Sequence, residues 1–368
     1  MTVDNSIIIF DKFLGYKIGG AQHSFHYLLK NLSGNLRFIG CEVKKSFSAQ
    51  KYKIKEFPVE RLDIKEVSKL PYLEYWLNKR RISRFFSGRK GGFLFTQSLW
   101  APLAINNFKG KTVYFVRDEY NLNRIPNYYS GFKFWLKKLY ILSQYPFINQ
   151  FFSDNQKAIK KADLIIANSY FVADEIKKIF GRKAEIIYPL IDVIELKKQT
   201  MPPISERPFI TAIGSEFIKG REIVEKIARA MPDHKFMIVG REFNRGIIKK
   251  NILYQPWSKN IAEIYGKTKI LLAPSIINEA FCRVAVEGMS LGIPCLGSRR
   301  GGIPEVLEEE YLIKDVWNIQ KWIEKIKEIE NNYQDYSKIL KEKVMKFDAG
   351  KQITNFKKIA KEKLNLEL

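Results

Sequence analysis

A chain of 368 residues with 46% hydrophobic and 28% charged residues is too apolar to be disordered and too long for one ordinary hydrophobic core. It suits two domains of roughly 150–200 residues each. Its formal charge of +24, about +17 of it in residues 1–190, calls for an anionic partner or serves solubility alone.

Three widely spaced cysteines, Cys41, Cys282 and Cys295, sit in apolar surroundings. They suit neither a disulfide framework nor a zinc cluster and fit a reducing compartment. The opening MTVDNSIIIFDK carries acid early and does not read as a signal peptide. No stretch reaches the roughly 20 apolar residues of a spanning helix. The expected location is the cytoplasm or a cytoplasmic membrane surface.

Taken in chain order, short β-branched runs alternate with helical patterns. SIIIF (6–10) is followed by Gly19-Gly20 and the helical AQHSFHYLLKNL, whose His23 and His26 read first as packing residues. GFLFTQS (92–98), TVYFVRD (112–118), DLIIANS (163–169) and EIIYPLI (185–191) complete the first half. Between them, GFKFWLKKLYILSQY (131–145) places Phe132, Trp135, Leu136 and Leu139 on one helical stripe with lysines beside it. Lys79, Arg80, Arg81 and Arg84 cluster within two turns. The polar, proline-bearing KKQTMPPISER (197–207) reads as the domain boundary. FITAIGS (209–215), KFMIVG (235–240), NILYQPW (251–257), KILLAPS (269–275) and PCLGS (294–298) follow. Unalternating apolar runs of this length suit strands covered on both faces, and strand–helix alternation predicts parallel sheets. A charged amphipathic helix closes the chain from about Phe347.

The stretch PSIINEAFCRVAVEGMSLGIPCLGSRRGGIPE (274–305) carries the chemistry. The spacing predicts a helix that begins at Glu279 and holds Glu287 eight residues on, both near one face. The amides of Phe281, Cys282 and Arg283 become donors at its N-terminus, which suits a diphosphate. Upstream, AIGSEFIKGREI (212–223) runs a strand into a glycine-bearing loop with Gly214, Ser215 and Lys219.

These stretches resemble retaining glycosyltransferases of family 4, the group 1 enzymes, closely over residues 206–308 and loosely before that. The resemblance implies an α/β GT-B fold, two Rossmann-like domains facing across a cleft. Residues 1–200 would form the acceptor-side domain and 201–346 the sugar-nucleotide domain. Residues 347–368 would be a helix that in such folds often crosses back to the first domain. It implies that Glu287 binds the ribose hydroxyls and that Glu279 meets the transferred sugar. Lys219 would hold the diphosphate and stabilise its growing charge. The family's phosphate arginine is replaced here by Ser215, so Arg221 or Arg283 would substitute. Gly214, Tyr254 to Trp257, the loop Gly301 to Glu305, and Gly19-Gly20 are the remaining donor-side candidates. Where the family commonly has a histidine near the acceptor, this chain has Arg117, Asp118 and Glu119; Arg117 and Asp118 are the acceptor-side candidates.

The expected activity is transfer of a hexose-type sugar from a nucleoside-diphosphate sugar to a glycan or lipid-linked acceptor. No Asp-x-Asp motif is present, so no metal and no cofactor are expected. The lysine-flanked stripe suggests contact with an anionic membrane surface. A GT-B sugar-nucleotide epimerase is the competing enzyme reading, disfavoured by the presence of only three histidines. A basic nucleic-acid-binding protein is the other, and no zinc-finger, RRM or helix-turn-helix signature supports it.

Overall fold

A computed structural model describes residues 6–16, 19–44, 56–67, 69–117, 122, 131–258 and 260–368. The chain divides into two compact units, Met1–Leu190 with Gln352–Leu368, and Ile191–Lys351.

The first unit is built on Ile7–Phe10 (β1), Leu36–Cys41 (β2), Val59–Leu62 (β3), Lys90–Gln97 (β4), Lys109–Val116 (β5), Leu164–Ala167 (β6) and Glu185–Ile186 (β7). These form one sheet in the order β3-β2-β1-β4-β5-β6-β7, parallel throughout. Every residue of β1 and β6 is buried, as continuous apolar runs flanked by helices on both faces must be. The strand expected over 185–191 stops after two residues. Beyond it the Tyr188 amide donates to the Gln352 side chain and the Leu190 amide to Ser24 Oγ, while Pro189 has no amide to offer.

The second unit contains Phe209–Ile213 (β8), Lys235–Gly240 (β9), Ile247–Lys249 (β10), Ile252–Pro256 (β11), Thr268–Ala273 (β12), Cys295–Ser298 (β13) and Leu312–Ile313 (β14). Their order is β10-β11-β9-β8-β12-β13-β14. Only β10 runs antiparallel to its neighbour. Apart from that edge strand, both sheets follow one plan, in which order reverses beside the unit's first strand. The switch point lies between β1 and β4 in one unit and between β8 and β12 in the other. In open α/β sheets ligands bind outside the carboxyl ends of strands at such a point.

The step between units falls at Leu190 and Ile191, ahead of the proline-bearing 197–207 stretch. Leu190 is held to Ser24 in the first unit, whereas Ile191 bridges to Asp348 in the second. The stretch itself begins in a short helix, Val193–Lys198, capped by the Asp192 side chain on the Glu195 amide at 2.9 Å. At the other end, the helix Ala349–Leu364 joins the first unit from Gln352 on. There Phe356 packs edge-on against Phe95, ring centres 5.8 Å apart, and Lys111 donates to the Leu364 carbonyl at 2.9 Å.

Candidate functional site

The second switch point is made by glycines that let two backbones touch. After β8, Gly214 takes φ +117° and Gly220 φ +84°, conformations costly for any residue with a Cβ. A Cβ on Gly220 would lie 2.0 Å from the Pro274 carbonyl oxygen. The loop after β8 therefore rests directly on the loop after β12, and the Ile276 amide donates to the Ile218 carbonyl at 2.9 Å. This contact brings Lys219 to Glu279. The ammonium donates to both carboxylate oxygens at 2.6 and 2.8 Å, and Ser275 Oγ donates to the same carboxylate. Burial pulls the Lys219 pKa down, but the Glu279 carboxylate outweighs it and the net shift is upward. The lysine is thus held charged, with a side chain still 36% exposed.

The Gly301–Glu305 loop supports the same carboxylate from its backbone side. Gly301 adopts φ +57°, and a Cβ there would sit 2.2 Å from the Glu279 carbonyl oxygen. The Gly302 amide donates to that same oxygen at 2.6 Å. The two glycines thereby fix the backbone that carries Glu279.

The helix expected to begin at Glu279 begins at Arg283 and runs to Ser290. Glu279 lies in the preceding loop, because its carboxylate and carbonyl are committed to Lys219, Ser275 and Gly302 rather than to a helical turn. Cys282 is the N-cap. The amides that no helical carbonyl serves are accordingly those of Cys282 to Ala285, one residue later than expected. The Phe281 ring is buried against Phe347 at 5.4 Å, and burial pushes the Cys282 thiol up to about 12. Glu287 does lie on the helix. It accepts from the buried Tyr265 hydroxyl at 2.8 Å and from Arg283 at 3.2 Å.

Around this pair the other second-unit candidates take distinct places. Ser215 is buried and donates to the Glu242 carboxylate. Arg221 donates to Glu225 at 2.8 Å and approaches Glu242 at 3.7 Å. Its guanidinium lies 5.2 Å from the Tyr254 ring centre. Tyr254 is buried, with its hydroxyl donating to Glu225 at 3.0 Å; burial and then Glu225 raise its pKa. Trp257 packs against the core cluster of Met237, Val239 and Ile264.

In the first unit, Gly19 caps the helix Gly20–Lys30 with φ +87°. Arg117 leaves the end of β5 and reaches that helix, donating to the Ala21 carbonyl at 3.4 Å and lying 5.5 Å from the ring centres of Phe25 and Phe115. Asp118 and Glu119 lie outside the described residues. His26 is buried, accepts from the Gly15 amide at 3.3 Å and packs near Phe57, whereas His23 is exposed. The sequence pattern did not single out Asp11 and Gln97. They close β1 and β4 at the first switch point, and both are buried. Gln97 donates to the Asp11 carboxylate. Burial pushes the Asp11 pKa up to about 6, against the opposing pull of the Phe13 amide, Gln97 and Arg117. A polar residue ending an apolar run, as in IIIFD and FLFTQ, is the signal that marks them.

Among the described residues, no group of three or more His, Cys, Asp or Glu side chains is placed to hold a metal, and no helix is long and apolar enough to cross a membrane. Comparison with known proteins gives a family likeness over part of the chain. The profile of the glycosyl transferases group 1 matches residues 222–346. N-acetyl-alpha-D-glucosaminyl L-malate synthase of Bacillus anthracis is 27% identical over 172 residues, which are 41% of this chain and 45% of that protein. Protein CapJ of Staphylococcus aureus is 28% identical over 125 residues, 31% of this chain and 29% of that protein. The chain thus spans less than half the length of these curated relatives. Among solved structures, HepE (Alr3699) of Anabaena in complex with UDP-glucose superposes with a TM-score of 0.70 at 15% identity, covering 97% of this chain and 99% of HepE. That likeness gives the fold, which is GT-B. The family profile falls wholly within the doubly wound second unit, and it is that part of the chain which resembles the glycosyl transferases group 1.

Proposed function

We propose that the protein is a retaining glycosyltransferase that moves a sugar from a nucleoside-diphosphate sugar to a glycan or lipid-linked acceptor. The observation that carries this reading is the Lys219–Glu279 pair. It is a charged, partly exposed cation and a carboxylate held by backbone contact at the switch point of the second sheet. The solved complexes of HepE with UDP and UDP-glucose support a nucleotide-sugar donor. The name of the Bacillus anthracis relative, a glucosaminyl malate synthase, supports the joining of a sugar to an acceptor.

In this reading the bond between the anomeric carbon and the diphosphate oxygen breaks, and the bond to the acceptor oxygen forms on the same face. The acceptor proton passes to the departing phosphate, so no separate base is needed. Lys219 stabilises the charge that grows on the leaving diphosphate, an interaction strongest in the transition state. Glu279 orients that ammonium and meets the sugar hydroxyls as positive charge develops at the anomeric carbon. Glu287, aligned by Tyr265, accepts from the ribose hydroxyls. The amides at the start of the Arg283–Ser290 helix face the diphosphate with the positive end of the helix dipole. Arg221 and Arg283 remain the cations placed to assist where the family's arginine is replaced by Ser215. No metal or cofactor takes part. Three buried cysteines free of disulfides fit work in a reducing compartment such as the cytoplasm.

The test is incubation with labelled UDP-, GDP-, ADP- and TDP-sugars without acceptor, with and without EDTA. Slow release of nucleoside diphosphate and free sugar, insensitive to chelation, is expected. The anomeric configuration of the transferred sugar, read by NMR once an acceptor is found, reports on retention. Interconversion of one nucleotide sugar into another would replace this reading with an epimerase.

A further inference from the structure

The helix Gly131–Ser143 departs from what an α/β layer normally requires, which is an apolar stripe turned onto the sheet. Its stripe faces out. Trp135 is 58% exposed, Leu136 51%, Leu139 61% and Leu142 54%. Their spacing, i, i+1, i+4 and i+7, makes one continuous face. The helix is held by its other side: Tyr140 donates to the Lys69 carbonyl at 2.7 Å, and Lys137 and Ile141 are half-buried. Two further rings are exposed on helices that touch each other: Tyr145 opens the helix Tyr145–Lys161, whose Phe147 ring lies 5.4 Å from that of Trp76 on the helix Pro71–Ser87. One and two turns beyond Trp76 on that helix, at i+4 and i+8, come Arg80 and Arg84, both exposed. With Lys65, Arg81, Leu77 and Phe85 they line an open pocket; Arg81 also pairs with Asp63.

We propose that this face docks the protein on an anionic lipid bilayer. The leucines and Trp135 enter the boundary between headgroups and acyl chains, and Arg80, Arg84 and Lys65 take lipid phosphates at the basic pocket. The charge pattern selects the occupant. The Gly131–Ser143 helix has no acidic residue, and the single acid of Pro71–Ser87, Glu74, is buried and paired with Lys12. A second copy would bring the same positive face against it. Three of the four exposed large hydrophobic residues on the helix are leucines, so successive bases would find no run of rings to stack on, which sets nucleic acid aside, whereas leucine and tryptophan beside lysine and arginine suit an interface rich in anionic headgroups. Lys138 sits 4.9 Å from the Trp135 ring centre, so cation and apolar ring are presented together.

The inference adds a membrane surface to the proposed acceptor class. It is read without donor or acceptor, so its failure leaves the transferase reading standing. The experiment is co-sedimentation of the full chain with sucrose-loaded vesicles of phosphatidylcholine alone and of phosphatidylcholine mixed with phosphatidylglycerol. Binding to the anionic vesicles is expected, falling steeply as salt rises. Leu139→Ser with Leu142→Ser should lower it at least about tenfold, since two buried apolar side chains are lost from the interface. Arg80→Gln with Arg84→Gln should lower it about 25-fold, at roughly fivefold per basic residue. Each variant must keep the parent's melting temperature, which exposed positions allow. Equal recovery in the supernatant with neutral and anionic vesicles would overturn the proposal. So would anionic binding that both double variants retain in full. A concentration-dependent dimer lost in Leu139→Ser/Leu142→Ser, with no vesicle binding by the parent, would assign the face to a second copy instead.

Discussion

The two switch points have the same topology and opposite chemistry. Between β1 and β4, Asp11 and Gln97 are withdrawn from water, and burial favours the neutral carboxyl. Between β8 and β12, Lys219 and Glu279 form an ion pair whose ammonium-bearing side chain keeps a third of its surface in solvent. A buried, hydrogen-bonded pair at the end of two strands is a structural join. A charged pair with an open side can exchange one partner for a ligand. The difference teaches that the topological rule locates a place, and the exposure of the polar groups decides its use.

The comparison is broken most severely at Lys219. Lys219→Ala should lower turnover about 100-fold or more, the scale of losing one donor aimed at developing charge. Glu279→Gln should cut turnover more than nucleotide affinity, because the diphosphate contact survives it. Steady-state kinetics beside nucleotide titration separate the two. Parent-like kinetics in both variants would move the site elsewhere.

The first switch point predicts a pH dependence of stability instead. Asp11 goes from an ordinary 3.8 to about 6 on folding, so the folded chain binds a proton that the unfolded chain has lost between those values. Its contribution is complete below about pH 4 and declines as pH rises toward 6, by at most about 3 kcal/mol. Asp11→Asn keeps the hydrogen bond from Gln97 and should flatten this part of the profile. Denaturant unfolding at a series of pH values from acid to neutral reads it directly. An unchanged profile would show that Asp11 does not titrate there.

Smaller effects sharpen the picture at the Arg283–Ser290 helix. Glu287→Ala should weaken nucleotide binding by roughly 1.5–3 kcal/mol, as expected for hydrogen bonds to a charged group. Tyr265→Phe removes only the hydroxyl that aligns Glu287 and should cost about 0.5–1.5 kcal/mol. Calorimetric titration distinguishes them, and a reversed order would mean that Tyr265, not Glu287, meets the nucleotide.

Much of the second unit was legible because its signals are local. KFMIVG is a strand over its whole length, Lys235–Gly240, and the apolar runs ending at Ile213 and Ala273 deliver Lys219 and Glu279 to one place. The first unit hid two of its strands. LRFIGC and VERL carry arginines inside the runs that become β2 and β3, and VERL is half-buried along its length. Their pairing is set by neighbours, not by their own pattern. The helix start at Arg283 was misjudged for a similar reason. Spacing alone put Glu279 on the helix, but hydrogen bonds from Ser275, Lys219 and Gly302, distant in sequence except for Ser275, hold it in a loop. Asp11 and Gln97 were overlooked because a polar residue ending a strand becomes informative only when another strand brings it a partner.

The central claim, that the charged pair and not the buried one receives the donor, is tested most directly by thermal shift. Parent, Asp11→Asn and Lys219→Ala would be compared in a panel of UDP, GDP, ADP and TDP. A ligand bound only by the folded state raises the melting temperature by mass action. One nucleotide should raise it equally in the parent and in Asp11→Asn, and the rise should shrink or vanish in Lys219→Ala. A full rise in Lys219→Ala, or its loss in a folded Asp11→Asn, would contradict the account.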